Sequence, residues 1–174
     1  KTLATLEFDK VLERLAIYAA FPASAELARK LRPTANLHDA QRAQAEVSEA
    51  RMLLTTHPDT TIGGARDIRA SAEGAGRGKV LLPGELLDIK STLISARGLA
   101  RQFEKEADHF PELWQISQRL PAPMGLVDAI TRAISDRGEV LDGASPALSR
   151  IRAEQRVAHD RLLTRMQGML TNSK

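Results

Sequence analysis

The 174-residue sequence contains no cysteine, so it can form neither a disulfide nor a thiolate metal site. It also lacks a charge-free run of about 18 apolar residues, the length that a membrane-spanning helix needs. The N-terminus does not resemble a signal peptide, because charged residues from Glu7 to Arg14 interrupt any apolar stretch. We therefore expect a cytoplasmic protein that makes no use of a membrane.

Aromatic residues are also scarce, at 3% of the chain, whereas hydrophobic residues make up 43%. The core must therefore be aliphatic and rich in alanine. The β-branched and aromatic runs typical of strands are missing, and Ala, Leu, Glu, Arg and Gln dominate the periodic segments. The composition predicts an all-α fold, with a compact multi-helix bundle at residues 1–144 and a long protruding C-terminal helix at residues 145–174.

Apolar spacing and helix-capping residues divide the bundle into about seven helices. The first is expected at residues 6–20, with an apolar face of Phe8, Val11, Leu12, Leu15 and Tyr18. A third helix should begin after Asn36 and bury Ala40, Ala43, Val47, Ala50 and Leu54. The strongest core pattern begins at Pro83 and comprises Leu86, Ile89, Leu93, Ala96, Ala100 and Phe103.

The C-terminal helix has the best-specified start in the chain. Ser145 offers a side-chain oxygen for the N-cap, and Pro146 has the fixed φ suited to the first helical position. The helix carries an apolar stripe, here called the seam, in which Gln155 is the one polar member. The seam consists of Leu148, Ile151, Ala158, Leu162, Met166 and Met169. About 27 residues at 1.5 Å each give a rod of roughly 40 Å.

Five arginines flank this seam. Arg150, Arg161 and Arg165 lie on one side, and Arg152 and Arg156 lie on the other. This layout is typical of a helix that pairs with another helix, and no returning partner helix is evident within the 174 residues.

The charge is unevenly distributed along the chain. The formal net charge is only +3, which is too mild to indicate nucleic-acid binding by itself. From Ser145 onward, however, six basic residues face two acidic ones, whereas the first 144 residues carry 19 basic and 20 acidic residues. The sequence thus predicts a basic arm on a near-neutral core. Charged flanks that keep a coiled-coil seam soluble are the simpler interpretation.

Several fragments resemble catalytic or binding motifs without fulfilling them. Gly74 to Lys79 is glycine-rich like a phosphate loop, but Glu73 stands where the first glycine is needed and Val80 replaces the final Ser or Thr. The four histidines are dispersed without metal-ligand spacing, and Glu104, Glu106 and Asp108 form a solvated acidic run. No serine lies in a Gly-x-Ser-x-Gly elbow. We infer no catalytic centre and no cofactor site in this segment.

Four stretches nevertheless resemble a known family. They are Thr5-Leu-Glu-Phe-Asp-Lys-Val-Leu12, Glu46-Val-Ser-Glu-Ala50, Gly64-Ala-Arg-Asp-Ile-Arg69 and, most specifically, Asp136-Arg-Gly-Glu-Val-Leu-Asp-Gly-Ala-Ser-Pro-Ala-Leu-Ser-Arg-Ile-Arg152. Together they are similar to the N-terminal part of the bacterial type-two MutS proteins. The resemblance extends over essentially all 174 residues.

This resemblance implies a core-and-lever region from which a clamp extends, within a larger homodimeric protein. Such proteins carry an ABC-type ATPase, which binds ATP and Mg²⁺, and a small Smr-type nuclease domain. They bind branched DNA and limit recombination, or they split stalled ribosomes. Both enzymatic activities would reside outside this segment. Phe110-Pro-Glu112 matches the Phe-x-Glu of the mismatch-reading domain, but its place at a helix start predicts a structural cap.

Three functions follow as hypotheses. The segment transmits ATPase motion to the clamp through the C-terminal helix. Alternatively, Arg150, Arg152, Arg156, Arg161 and Arg165 contact nucleic-acid phosphates directly. A third hypothesis, independent of any family, is self-association through the seam, whose apolar surface needs a partner.

Overall fold

The computed structural model describes residues 5–121 and 125–171, and within these ranges the protein is an all-α bundle, as its composition predicts. The helices are α1 (Phe8–Ile17), α2 (Pro22–Lys30), α3 (Leu37–Thr56), α4 (Arg69–Gly76), α5 (Pro83–Lys105), α6 (Pro111–Ser117), α7 (Leu126–Ala133) and α8 (Pro146–Thr171). A 3₁₀ turn, Asp142–Ala144, precedes α8. Within the same ranges, the only β pairing is an isolated antiparallel bridge between Ile134 and Val140.

The helix starts follow the predicted capping chemistry. The Asn36 side chain accepts hydrogen bonds from the backbone nitrogens of His38 (2.9 Å) and Asp39 (3.4 Å), so α3 begins where expected. The Ser145 Oγ accepts one from the Leu148 nitrogen at 3.1 Å, and Pro146 occupies the first position of α8. These contacts satisfy amide groups that have no partner within the helix.

The core lies between α5 and α7. Ile89 and Leu93 of α5 pack with Ile130 of α7 and with Ile134 just beyond it, and all four side chains are buried. Leu86 and Val127 pack against the edge of this cluster. The predicted apolar face of α5 is therefore confirmed as the centre of the fold.

The predicted face of α3 is wrong. Val47 and Leu54, which were expected in the core, are exposed, whereas Leu53 is buried. The face turned toward α6 is ionic: Arg42 Nε lies 3.3 Å from carboxylate oxygens of both Glu46 and Glu112. Alanine fits either side of a helix, so the small residues of α3 did not determine which face would be covered.

The N-terminal helices form a hairpin of their own. The two helices contact each other, and Leu12 and Ala16 of α1 and Ala28 of α2 are buried. Val11, Leu15 and Tyr18, which are also expected to face inward, are exposed. The first helix is also shorter than predicted, since Glu7 has a left-handed backbone (φ 50°) before Phe8. Few inward positions remain because α2 is short and covers only one line of α1.

An arginine bridge joins this hairpin to the rest of the protein. The Arg69 guanidinium, at the start of α4, donates two hydrogen bonds of 2.8 and 2.7 Å to the Glu26 carboxylate of α2. It also pairs with Asp67 in the preceding loop and lowers the pKa of that carboxyl to about 2. The start of α4 is therefore connected to α2 by an ion pair.

Candidate partner-binding helix and its joint with the core

The long C-terminal helix α8 leaves most of its surface uncovered. Leu148, in the first turn, is half-buried, but from residue 153 to residue 169 every residue except Gly168 is exposed. The seam residues Ile151, Leu162, Met166 and Met169 have exposed fractions of 54, 57, 54 and 71%, and Ala158 between them is exposed as well. A stripe of this length without cover is a surface of the kind that binds another helix.

Two further apolar side chains on α8 lie outside the seam. Val157 and Leu163 are exposed at 49 and 44%. The spacing argument missed them because it selected one stripe and ignored isolated residues on other faces. They widen the apolar surface of α8 beyond the predicted seam.

The helix is held at its base by a small joint. We define the α7–α8 joint as Arg132, Val140, Asp142, Gly143 and Arg152. The Leu141 nitrogen donates to the Ala133 oxygen at 2.8 Å, next to the bridge between Ile134 and Val140. A Cβ added to Gly143 would lie 3.0 Å from the Arg132 carbonyl oxygen, so the 3₁₀ turn packs directly on the end of α7.

Asp142 is the charged centre of this joint. Arg152 Nη1 donates to Asp142 Oδ1 at 2.7 Å and to the Val140 oxygen at 2.8 Å, and Arg156 Nη2 donates to Asp142 Oδ2 at 3.4 Å. The hydrogen bond from Arg152 lowers the pKa of Asp142 below its ordinary value. No local pattern in the sequence identifies this pairing, because the arginines lie ten or more residues farther along the chain.

The five arginines predicted to contact phosphates therefore differ in their surroundings. Arg152 and Arg156 pair with Asp142, and Arg150 lies 3.7 Å from Glu154 on the same helix. Arg161 and Arg165 make no ion pair with any residue in the described part of the chain. Arg161 and Arg165 are exposed, and they differ from the other three in having no acidic partner in the described residues.

The glycine-rich stretch is partly helical rather than a plain connector. Gly74 and Gly76 belong to α4, and Gly78 follows with a positive φ of 85°. The Lys79 nitrogen donates to the Gly74 oxygen and the Gly78 nitrogen to the Ala75 oxygen, which is a Schellman motif. Helix C-termini disfavour anions, and Lys79 already pairs with Glu85 at 2.8 Å. These residues do not fit an ATP phosphate.

The Phe110-Pro-Glu motif forms a helix start, as predicted. Phe110 is buried at the N-cap of α6, and Pro111 takes the first helical position. The cap itself comes from α3, because the Glu49 carboxylate accepts from the backbone nitrogens of Glu112 (3.2 Å) and Leu113 (3.0 Å). No local sequence signal identifies Glu49, since its target lies more than 60 residues away.

Two of the dispersed histidines meet one carboxylate. His57, which follows α3, and His109, which precedes α6, each lie 3.7 Å from an oxygen of Glu106 at the end of α5. In the described ranges, no three His, Asp or Glu side chains are placed to hold a metal ion. This cluster therefore joins helix ends.

In the described ranges, no helix is long and apolar enough to cross a membrane.

Known proteins resemble this chain over almost its whole length. It is 39% identical over 171 residues to a protein of Thermomicrobium roseum named endonuclease MutS2, and the match covers 97% of this chain and 22% of the relative. A protein of the same name from Symbiobacterium thermophilum is 39% identical over 173 residues, which are 99% of this chain and 22% of the relative. The chain is related to one part of MutS2. No protein-family model matches it.

The chain thus spans about one fifth of the length of the curated MutS2 relatives that it matches. Its accessible surface of 13563 Å² is also large, since a folded monomer of this mass exposes about 8,400 Å². Several helices carry exposed apolar side chains, and α8 has the longest uncovered run in the described residues. Such faces are expected in a segment that packs against other parts of a larger protein.

Proposed function

We propose that this chain is a non-catalytic core and lever segment of a MutS2-like ATPase. In this proposal α1 to α7 form the core, and α8 transmits nucleotide-dependent motion to a clamp. The complete protein would act as a homodimer on branched DNA, limiting recombination, or on stalled ribosomes, splitting them. ATP and Mg²⁺ would bind outside these 174 residues. The observation that carries the proposal is a 26-residue helix that, within the described residues, is anchored at its N-terminal end and has its apolar stripe exposed.

A lever must be stiff, and α8 is one continuous helix. A continuous helix of 26 residues moves as one body, so a small rotation at its base displaces its far end by many ångströms. The joint supplies that base, because the bridge between Ile134 and Val140 holds the segment before α8 at the end of α7, and Asp142 in that segment pairs with Arg152 of α8.

A proline in the middle of α8 tests the transmission of motion. Ala158→Pro in the full-length protein removes an intrahelical hydrogen bond and costs about 3 kcal/mol of local helix stability. Ala158→Ser, which keeps the backbone N–H, is the matched control. We expect the proline variant to hydrolyse ATP but to lose the nucleotide-dependent change in affinity for branched DNA or ribosomes. Nucleotide-dependent binding that survives Ala158→Pro would contradict the proposal.

Direct phosphate contact by α8 is a second candidate function. It is favoured by the exposure of Arg161 and Arg165 without a partner in the described ranges and by the position of Arg150 on the same flank. Such contacts can be measured from the salt dependence with which the 174-residue chain binds branched DNA. Each phosphate contact contributes about 0.9 to the slope of the logarithm of the binding constant against the logarithm of the salt concentration. Replacing Arg161 and Arg165 by glutamine should reduce that slope more than replacing Arg152 and Arg156. Binding with no salt dependence would exclude this role.

Self-association through the seam remains the third candidate. It is supported by the exposed side chains of Leu162 and Met166 in mid-helix. Sedimentation of the 174-residue chain over a range of concentrations would detect it, and Leu162→Glu should abolish it while Asp160→Asn leaves it unchanged. A chain that stays monomeric at high concentration would rule it out.

A further inference from the structure

The geometry points to Asp142 as the positioning residue that sets the direction of α8 relative to the core. The role belongs to the folded chain and does not depend on which partner α8 binds. The role follows from the position of the Asp142 carboxylate, which lies in the short backbone segment between α7 and α8 and binds arginines of α8.

On the core side of the joint, the backbone around Asp142 is fixed to the end of α7, because the Leu141 nitrogen donates to the Ala133 oxygen and Gly143 packs on the Arg132 carbonyl. The carboxylate is therefore presented from the core at a defined place. Its backbone is held by α7 through these two contacts.

On the α8 side of the joint, Arg152 and Arg156 lie one helical turn apart and extend back toward the helix N-terminus, as side chains on a helix do. Each takes a different carboxylate oxygen of Asp142, and Arg152 also donates to the Val140 carbonyl. A helix joined only at Ser145 could pivot about that residue. A second attachment about two turns farther along removes this freedom.

Two ion pairs of α8 differ in what they connect. Basic residues near a helix N-terminus are unfavourable for the helix dipole, so Arg152 gains nothing from that position alone. The neighbouring pair of Arg150 and Glu154 supplies a contrast, because both of its members belong to α8 and cannot influence the direction of the helix. Among the described residues, the contacts of Asp142 with Arg152 and Arg156 are the ion pairs that connect α8 to the segment before it.

The ion pair between Asp142 and Arg152 is accessible to solvent. The side chains of Asp142 and Arg152 are 41 and 39% exposed, so dissolved ions reach and screen them. The direction of α8 should therefore respond to salt. Ionic strength should loosen the joint without unfolding either helix.

A distance measurement tests this role directly. The chain has no cysteine, so Arg97→Cys on α5 and Thr164→Cys on α8 place one spin label on each element without interference. In the labelled 174-residue chain we expect one narrow distance distribution. Asp142→Asn, and separately Arg152→Gln, should raise the fraction of molecules whose label distance lies outside the main peak roughly two- to fivefold. A change of this size corresponds to the loss of one exposed ion pair. The double variant should broaden it no further than the larger single change.

Glu154→Gln is the control, because it removes an ion pair within α8 and should leave the distribution unchanged. Circular dichroism shows whether each variant keeps its helices. If Asp142→Asn does not fold, the unsubstituted labelled chain in about 1 M salt, where screening acts within about 3 Å, decides instead. A distribution that stays narrow in the folded variants, or in high salt, would overturn the role assigned to Asp142.

Discussion

The helices α5 and α8 are similar in sequence pattern and opposite in environment. Each is longer than 20 residues, begins with proline and carries an apolar stripe at helical spacing. In α5 the stripe is covered by α7, and Ile89 and Leu93 are buried. In α8 the corresponding stripe is exposed from Ile151 to Met169. Amphipathic spacing therefore shows which face of a helix needs cover and does not show whether this chain provides it.

The largest expected contrast comes from matched truncations in the two stripes. Leu93→Ala in α5 should cost about 2 to 5 kcal/mol of unfolding free energy, because it leaves a cavity in the core. Leu162→Ala in α8, where the side chain is mostly in water, should change that free energy by less than about 0.5 kcal/mol. Urea unfolding of both variants measures the difference. Equal losses would mean that α8 is covered in solution.

Gly143→Ala tests the packing between the joint and the core. The added methyl group meets the Arg132 carbonyl oxygen at 3.0 Å, so we expect a loss of about 1 to 3 kcal/mol. Gly98→Ala in α5 is the opposite control, because a Cβ there meets nothing within 4 Å and should stabilise the helix by about 0.5 to 1 kcal/mol. Thermal unfolding should separate the two variants in sign. A stabilised Gly143→Ala variant would show that the turn is not packed on α7.

Glu49→Gln tests the charged face of α3. Its carboxylate accepts from two backbone nitrogens at the start of α6, where the helix dipole favours a negative charge. Neutralising it should cost roughly 0.3 to 1 kcal/mol and speed amide exchange at Glu112 and Leu113. Glu104→Gln, at an exposed carboxylate, provides the control. Unchanged exchange at both amides would remove Glu49 from the list of capping residues.

The smallest expected effect is the pH dependence of the joint. The pKa of Asp142 is lowered in the folded chain from its ordinary value of 3.8, because Arg152 donates to the carboxylate. Its contribution to stability is therefore present above that ordinary value and is lost as the pH falls through the folded pKa. Asp142→Asn should be less stable than the unsubstituted chain near neutral pH, and this difference should vanish in acid. A difference that is constant with pH would contradict the ion pair.

Much of the architecture could be predicted because it depends on local chemistry. Asn36, Ser145 and the prolines at helix starts act on amides within a few residues, so the helix boundaries they set were foreseen. The α5 stripe was also foreseen, since its large aliphatic side chains leave one choice of inward face. The exposed turns of α8 follow the same local rules and differ only in lacking cover.

What could not be predicted depends on contacts that are distant in sequence. On the inward face of α3, Arg42 and Glu49 contact α6, which begins more than 50 residues later. Likewise, the five arginines of α8 looked equivalent in the sequence, and only the placement of Asp142 separates Arg152 and Arg156 from the others. The proposed phosphate contacts and the proposed seam remain predictions.

Amide hydrogen exchange in a dilute, monomeric sample of the 174-residue chain tests the central claim most directly. Amides of α5 from Ile89 to Leu93 should exchange only through global unfolding, because they belong to the buried core. Amides of α8 from Val157 to Met169 should exchange through local fraying, orders of magnitude faster, because nothing covers that part of the helix. Equal protection of α5 and α8 in the monomer would contradict the account, since it would mean that α8 packs within its own chain.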